Sequence, residues 1–233
     1  MEEIENNSTQ MEKHENSADE EIKRLTNELA KVNQELANAY LDGIETLRYT
    51  VEAKDPYTKG HSDRVSEYSV LLGRKIGLSE EDINTLKIGG LFHDIGKIGI
   101  SDNILLKSER LTDDEYLEIK NHPEIGVNIL SKSKIFASIL PIVQHHHEKY
   151  DGTGYPGALE GEKIPYLARI VSIADSFDAM ASRRPYRYSL SMEVIKREIE
   201  KGKGTQFDPR ISDKFIEILE NDVETIKEIQ DKY

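Results

Sequence analysis

Histidines and aspartates in this chain gather in short clusters that are far apart in the sequence, and several lie within apolar segments. The set consists of His61, His93, Asp94, His122, His146, His147 and Asp175. A carboxylate buried in an apolar segment such as GGLFHDIGKIGI costs several kcal/mol unless a partner offsets its charge. The fold must therefore bring these segments to a common partner, and a metal cation suits all of these side chains.

Apolar residues elsewhere recur at helical spacing, and strand-like alternation is scarce. One stripe consists of Val65, Tyr68, Leu72 and Ile76, and Thr112 with Glu115 has the pattern of a helix-capping box. Residues 134–147 are predicted to form a helix that Pro141 kinks. The glycine-rich residues 149–164 are the one long loop, a kind that is usually functional or mobile. These patterns predict an all-α fold.

The N-terminal part differs from the rest of the chain. Residues 1–20 are rich in Glu, Asn and Ser, so we expect a disordered acidic tail. Residues 21–44 are predicted to form a stalk helix with a 3-4 apolar spacing. Its stripe is Ile22, Leu25, Leu29, Val32, Leu36 and Ala39. Two interpretations stay open: a stalk that packs on its own domain, or a short coiled coil that forms a homodimer and transmits a signal.

Charge and composition limit the classes of partner and compartment. The net charge of −13 disfavours duplex nucleic acid and anionic membranes. A small phosphate ligand remains compatible, because bound cations and a few local bases can reverse the field inside a cleft. The chain has no cysteine, no stretch of eighteen apolar residues and a polar N-terminus. We therefore expect a cytoplasmic protein without a membrane span or secretory signal.

The number and type of the clustered side chains predict the kind of metal site. Seven imidazole and carboxylate ligands are too many for one zinc ion. They suit two metals bridged by a carboxylate and roughly 3.5–4 Å apart. Ligation by nitrogen and oxygen without sulfur favours iron or manganese, with nickel, zinc and magnesium as further occupants. The sequence therefore predicts a metal-dependent hydrolase.

Five segments give the chain a specific family resemblance. They are GHSDRV (60–65), HDIGKIGI (93–100), NHPEIG (121–126), HHEKYDGTGYP (146–156) and IADSFDAMASRRPYR (173–187). Together they resemble the HD-GYP family, a branch of the HD superfamily of metal-dependent phosphohydrolases, over roughly residues 45–220. The resemblance implies an HD-type helical core with additional C-terminal helices. We therefore expect residues 45–233 to form the phosphohydrolase domain.

The resemblance also implies a role for each matched residue. His61, His93, Asp94 and Asp175 would hold one metal, and His122, His146 and His147 would hold the second. Asp94 would bridge the two metals and, with Lys97 at the scissile phosphate, form the catalytic pair. The implied substrate contacts are Tyr155, Asp178, Arg184 and Arg187. Some family members bind a third metal through an acid one turn before the first histidine. That position is Tyr57 here and the nearest acid is Asp55, so we expect two metals.

The implied activity is hydrolysis of the bacterial second messenger cyclic di-GMP by a metal-bridged hydroxide. The first product would be the linear dinucleotide pGpG, and a second cleavage to GMP is a further step known in the family. Two alternatives stay open. The same centre could act on another cyclic dinucleotide such as cyclic GMP-AMP. The chain could instead be a non-catalytic signalling adaptor that binds a ligand or a partner protein.

Overall fold

The computed structural model describes residues 2–54, 60–182 and 189–233, with only the backbone for residues 2–18, 41 and 51–53. These residues are predominantly helical, and no β-strand occurs in the described part of the chain. The extended pairings within these residues are two isolated β-bridges, Asp151–Glu160 and Lys203–Phe207. The all-α prediction is therefore confirmed.

Eleven α-helices fall within the described residues. In chain order they are α1 (Glu2–Lys54), α2 (His61–Ile76), α3 (Glu80–Phe92), α4 (Asp102–Leu105), α5 (Asp113–Ile119), α6 (His122–Leu130), α7 (Leu140–His145), α8 (Tyr166–Ala181), α9 (Met192–Gly202), α10 (Pro209–Asn221) and α11 (Val223–Lys232). Short 3-10 helices cover Ile95–Gly99, Lys134–Ile139 and Gly161–Lys163. Among the described residues, none of these helices combines the length and apolar character that a bilayer crossing requires.

The chain divides into two compact units, residues 1–47 and residues 48–233. Helix α1 begins at Glu2, so it includes most of the segment that was expected to be a disordered tail. The tail contains no Gly or Pro, and its Glu, Gln, Lys and Met residues are good helix formers. Nothing in that segment therefore interrupts a helix that continues from the stalk.

Helix α2 lies at the centre of the larger unit. It packs against α3, α8, α10 and α11. The buried Tyr68 ring of α2 meets the edge of Phe177 of α8 at 4.8 Å between centroids, and Phe177 meets Phe215 of α10 at 5.2 Å. Each aromatic side chain that is fully buried stabilises the fold by about 1.5–3 kcal/mol. These contacts fix the additional C-terminal helices onto the central helix.

Close backbone contact brings two of the clustered segments together. The 3-10 turn Ile95–Gly99 lies directly on the first turn of α6. A Cβ atom on Gly96 would lie 1.8 Å from the carbonyl oxygen of His122, a distance that no side chain tolerates. Because Gly96 has no side chain, the segment after Asp94 can rest against the helix that begins with His122.

The region of Pro141 differs from its prediction. Instead of one kinked helix over residues 134–147, the structure has a 3-10 helix, Lys134–Ile139, followed by α7. Pro141 occupies the first turn of α7, where its missing N–H has no intrahelical partner to lose. The short α7 therefore ends just before His146 and His147.

Candidate metal centre

Helix ends supply most of the clustered side chains. His61 and His122 are the first residues of α2 and α6, and His93 with Asp94 directly follows α3. His146 and His147 follow α7, and Asp175 lies within α8. The structure brings all seven predicted metal ligands to one region of the larger unit. His145 is half-buried, its Nδ1 atom lies 3.4 Å from Oε1 of Glu148, and it is not part of the clusters of potential ligand atoms in the described residues.

Asp94 lies between two groups of histidines. Its Oδ2 atom is 3.3 Å from Nε2 of His93 and 3.9 Å from Nε2 of His61. Its Oδ1 atom is 3.2 Å from Nε2 of His122 and 3.8 Å from Nε2 of His146. Each carboxylate oxygen therefore faces a different group.

The two groups have the spacing of metal sites. In the described residues, potential ligand atoms within 4.8 Å of one another form two sets that share Asp94. The sets are His61, His93 and Asp94, and Asp94, His122, His146 and His147. Asp175 adds a carboxylate to the first set, because its Oδ1 atom lies 3.3 Å from Nε2 of His61.

The imidazole rings are oriented from behind by backbone carbonyl groups. The Nδ1 contacts are His93 to Gly90 at 2.7 Å, His122 to Ile119 at 2.8 Å and His146 to Val143 at 3.0 Å. A carbonyl oxygen can only accept, so Nδ1 carries the proton in each pair. In the neutral ring, Nε2 then presents a lone pair to the centre, which is the state that binds a metal.

Several polar atoms at the centre lack a hydrogen-bond partner. The Nε2 atom of His93 and the Oδ1 atom of Asp94 are buried and unpaired within the described structure. Nε2 of His122 also lies 3.3 Å from Nε2 of His146, which places two lone pairs opposite each other. Cations would satisfy these atoms, and the donor set of imidazoles and carboxylates fits divalent metals.

The two carboxylates at the centre are strongly acidic. Burial raises the pKa of Asp94, but Lys97 and the neighbouring histidines outweigh burial and hold that pKa well below the usual range. Burial raises the pKa of Asp175 as well, and the hydrogen bond with His61 more than reverses the effect. Both groups are therefore ionised at neutral pH and available to a cation.

The histidines differ in their protonation. Burial lowers the pKa of His61, but hydrogen bonds with Asp175 and Asp178 outweigh burial and raise the pKa to about 9. Burial lowers the pKa of His146 to about 4, against the hydrogen bond with Asp94. Burial and the adjacent His146 also hold the pKa of His147 well below its usual value. In the metal-free centre, His61 is thus protonated and His146 is neutral.

Asp178 holds His61 from behind. Its Oδ2 atom lies 2.8 Å from Nδ1 of His61, and its two oxygens accept from Nε and Nη2 of Arg64 at 2.7 and 3.0 Å. Asp178 is only 1% exposed. Both oxygens of Asp178 therefore contact side chains of α2, and the substrate contact of Asp178 stays a prediction.

The glycine-rich loop is fixed by Glu148. This buried carboxylate accepts from the backbone N–H of Gly157 at 2.7 Å and of Leu159 at 3.1 Å. The ring of Tyr155 stacks on the imidazole of His147, with centroids 4.8 Å apart and planes inclined by 25°. The loop therefore places an aromatic ring against one side of the candidate metal centre.

Other predicted residues lie beside the centre or outside the described structure. Nζ of Lys97 is 2.6 Å from Oδ2 of Asp94, so its ammonium group lies next to the metal ligands. Arg184 and Arg187 lie outside the described residues, as do Tyr57 and Asp55.

The sequence analysis did not identify Lys120 and Tyr116, which lie near Tyr155 of the loop. Nζ of Lys120 lies 5.2 Å from the ring centroid of Tyr155 and 4.7 Å from that of Tyr116. The sequence offered one hint of this role, which is that Lys120 stands two residues before His122. A lysine at the end of a short helix is ordinary by itself, and only the folded loop makes it a neighbour of the centre.

The sequence is similar to known proteins. The HD domain family model matches residues 45–211. The chain is 39% identical over 187 residues to the cyclic di-GMP phosphodiesterase response regulator RpfG of Xanthomonas campestris pv. campestris, covering 79% of this chain and 49% of that protein. It is 38% identical over 181 residues to the 3'3'-cGAMP-specific phosphodiesterase 3 of Vibrio cholerae, covering 77% of this chain and 39% of that protein.

A solved structure agrees on the fold. The crystal structure of the Vibrio cholerae cyclic GMP-AMP phosphodiesterase V-cGAP3 superposes with a TM-score of 0.59 at 20% identity, over 80% of this chain and 51% of that one. At that level of identity the likeness concerns the helical architecture. The chain spans about half or less of the length of the two curated relatives described above.

Proposed function

This chain belongs to the HD domain family, in its HD-GYP branch, and on that premise we propose that it hydrolyses cyclic di-GMP to pGpG. The proposal rests first on Asp94, whose two oxygens face two separate groups of histidines. A relative that is 39% identical is named a cyclic di-GMP phosphodiesterase. Residues 45–233 are proposed as the phosphohydrolase domain, in a cytoplasmic protein.

Two divalent cations are proposed as cofactors. His61, His93 and Asp175 would hold the first, His122, His146 and His147 would hold the second, and Asp94 would bridge them. The all-nitrogen and oxygen ligand set favours iron or manganese. When bound, such a pair lowers the pKa of a shared water and offsets charge on the phosphoryl oxygens.

The chain's own residues prepare the reaction. The carbonyl groups behind three histidines fix their rings, so the ligand atoms need little rearrangement. The ammonium group of Lys97, beside Asp94, is placed to contact an oxygen of the scissile phosphate and stabilise its growing negative charge. Tyr155 closes one side of the site and limits access of bulk water.

The chemical step is a simple hydrolysis. The oxygen of water bonds to one phosphorus in line with the leaving 3′ oxygen, and the bond from phosphorus to that 3′ oxygen breaks. The leaving oxygen takes a proton, and the product is linear pGpG. A second hydrolysis of the remaining phosphodiester would give GMP.

The test uses purified protein loaded with Fe(II) or Mn(II) under anaerobic conditions. We expect cyclic di-GMP to disappear and pGpG to accumulate, measured by liquid chromatography, with about two metals per chain by elemental analysis. Persistence of cyclic di-GMP at high enzyme concentration, in protein that holds its metals, would overturn the proposal. An empty site that nevertheless binds cyclic di-GMP would point to the adaptor.

A second substrate is supported by one relative. The 38% identity to a 3'3'-cGAMP-specific phosphodiesterase nearly equals that to the cyclic di-GMP enzyme. Both substrates present the same phosphodiester to the metals and differ in one base. Competition between equal concentrations of the two cyclic dinucleotides decides the preference, and we expect cyclic di-GMP to be consumed first.

A homodimer through the stalk is also proposed, together with signalling proteins as partners. Ile22, Leu25, Leu29, Val32 and Leu36 recur at coiled-coil spacing on α1 and are each 51–68% exposed. Burying this stripe against a second copy would remove apolar surface from water. Light scattering should give twice the monomer mass, and Leu29→Lys should halve it while Asn33→Lys leaves it unchanged. A monomeric wild type would overturn the dimer.

A further inference from the structure

Lys120 lies at the outer edge of the metal centre. It follows the last residue of α5 and is half-buried. Its Nζ atom lies over the rings of both Tyr116 and Tyr155, at 4.7 and 5.2 Å from their centroids. The Tyr155 ring stacks in turn on His147. One aromatic ring thus separates the Lys120 ammonium from a proposed metal ligand.

The ammonium group of Lys120 contacts two aromatic rings. Nearby lysines pair with carboxylates: Lys97 with Asp94 at 2.6 Å and Lys107 with Glu115 at 2.7 Å. Across residues 2–54, 60–182 and 189–233, no carboxylate forms an ion pair with Lys120. Within the described residues, the contacts of the Lys120 ammonium group are therefore with two ring faces. A cation–π contact at a partly exposed position is weak, so the ammonium group can turn toward an anion.

The proposed substrate requires a second cation at this distance from the metals. A cyclic dinucleotide carries two phosphodiesters in one ring. When the metals and Lys97 engage one of them, the other must lie outward, beyond the ligand shell. That second phosphate would approach a region that contains the carboxylates of Asp94 and Asp175. A positive group on the outer side would offset the repulsion, and lysine is a common phosphate-binding residue.

We propose that Lys120 binds the phosphate that is not being cleaved, with Tyr155 beside it and Tyr116 shielding its stem from water. The proposal rests on the proposed cyclic dinucleotide activity. It makes Lys120 a substrate-binding residue that acts on affinity, while the metal ligands and Lys97 act at the reacting phosphorus. It does not depend on Arg184 or Arg187.

The test compares two substrates and two lysines. Cyclic di-GMP has two phosphodiesters, whereas bis(p-nitrophenyl) phosphate has one. Binding of bis(p-nitrophenyl) phosphate should therefore not involve Lys120. We expect Lys120→Gln to raise KM for cyclic di-GMP about tenfold, the size of one charge-assisted hydrogen bond. The kcat/KM for bis(p-nitrophenyl) phosphate and the metal content should stay within about twofold of wild type, since the metal pair itself is untouched.

Matched variants complete the design. Lys132→Gln removes the same charge from an exposed lysine that has no ion pair in the described structure, and it should behave as wild type. Lys120→Arg keeps the charge and should retain most of the affinity.

The outcomes separate the two proposals. A wild-type protein that turns over bis(p-nitrophenyl) phosphate but leaves cyclic di-GMP intact would overturn the proposed function. An active wild type with an unchanged KM in Lys120→Gln would overturn the role of Lys120 alone. If Lys120→Gln lowered kcat/KM equally for both substrates, the role of Lys120 would also be overturned, because Lys120 would then act through the fold or the metals.

Discussion

The Nε2 atom of His122 lies 3.3 Å from the Nε2 atom of His146, and in the neutral rings both of these nitrogens carry a lone pair. Both rings donate through Nδ1 to backbone carbonyl groups, of Ile119 and Val143. Two facing lone pairs repel, and the nearby Oδ1 of Asp94 adds negative charge. The protein therefore holds an arrangement that a cation stabilises, and this relationship underlies the predictions below.

Replacing Asp94 by Asn should disable the centre. The substitution keeps the size of the side chain but removes the charge that faces both histidine groups. Loss of the charge shared by both proposed metal sites should weaken both of them, so turnover should fall by about 100-fold or more. Bound metal should also drop below two per chain, measured by elemental analysis. Asp231→Asn, an exposed carboxylate near the C-terminus, is the control, and normal turnover by Asp94→Asn would contradict the bridging role.

Much of this centre could be predicted from the sequence. His93 and Asp94 stand in an apolar segment that cannot bury a charge alone, and the HHE and GYP segments identified their partners. The helix that begins after Thr112 was readable because its capping box depends on residues only three apart, and the structure has that box. Such features depend on local chemistry.

The role of Asp178 could not be predicted in the same way. The family resemblance implied a substrate contact for Asp178, whereas its contacts in the structure are with His61 and Arg64 of α2, more than a hundred residues earlier. Lys120 was missed for a related reason, since its neighbour Tyr155 reaches it only through the folded loop. Both cases depend on packing between segments that are distant in the sequence. The spacing of residues within one helix does not predict such contacts.

Replacing Asp178 by Asn should weaken metal binding without removing a ligand. The aspartate holds Nδ1 of His61 at 2.8 Å and keeps Nε2 directed at the centre. Loss of such a partner behind a metal ligand typically lowers metal affinity by about 10–100-fold. The measurement is a Mn(II) titration followed by electron paramagnetic resonance. Ser182→Ala removes a neighbouring contact of Arg64 and spares Asp178, so it should bind Mn(II) normally; equal affinities in both variants would refute the role.

Replacing Glu148 by Gln should loosen the loop that carries Tyr155. The two carboxylate oxygens accept from Gly157 and Leu159, and the amide of Gln would turn a donor toward one of these N–H groups. An unsatisfied buried donor costs about 1–3 kcal/mol. We expect faster amide hydrogen exchange over residues 154–159 and a higher KM for cyclic di-GMP. Glu160→Gln, an exposed change in the same loop, is the control, and unaltered exchange in Glu148→Gln would contradict the role of the carboxylate.

Metal affinity should rise with pH between about 6.5 and 9. Burial lowers the pKa of His61, but the hydrogen bonds with Asp175 and Asp178 raise it to about 9. The metal-free centre therefore keeps a proton on His61 at neutral pH, and a cation must displace it, because only the neutral ring is a ligand. Raising the pH removes the competing proton, so the apparent affinity should increase by up to tenfold per pH unit and level off near pH 9.

His146 should not add to this pH dependence. Its pKa is lowered to about 4, so its ring is already neutral throughout the range. Titration calorimetry with Mn(II) in buffers of different ionisation enthalpy should therefore report the release of about one proton per chain from His61 at pH 7.5. Release of no proton, with an affinity that does not change from pH 6.5 to 8.5, would show that His61 is already neutral or lies outside the metal shell. Release of several protons would show that His146 and His147 are also protonated, contrary to the lowered pKa values of both rings.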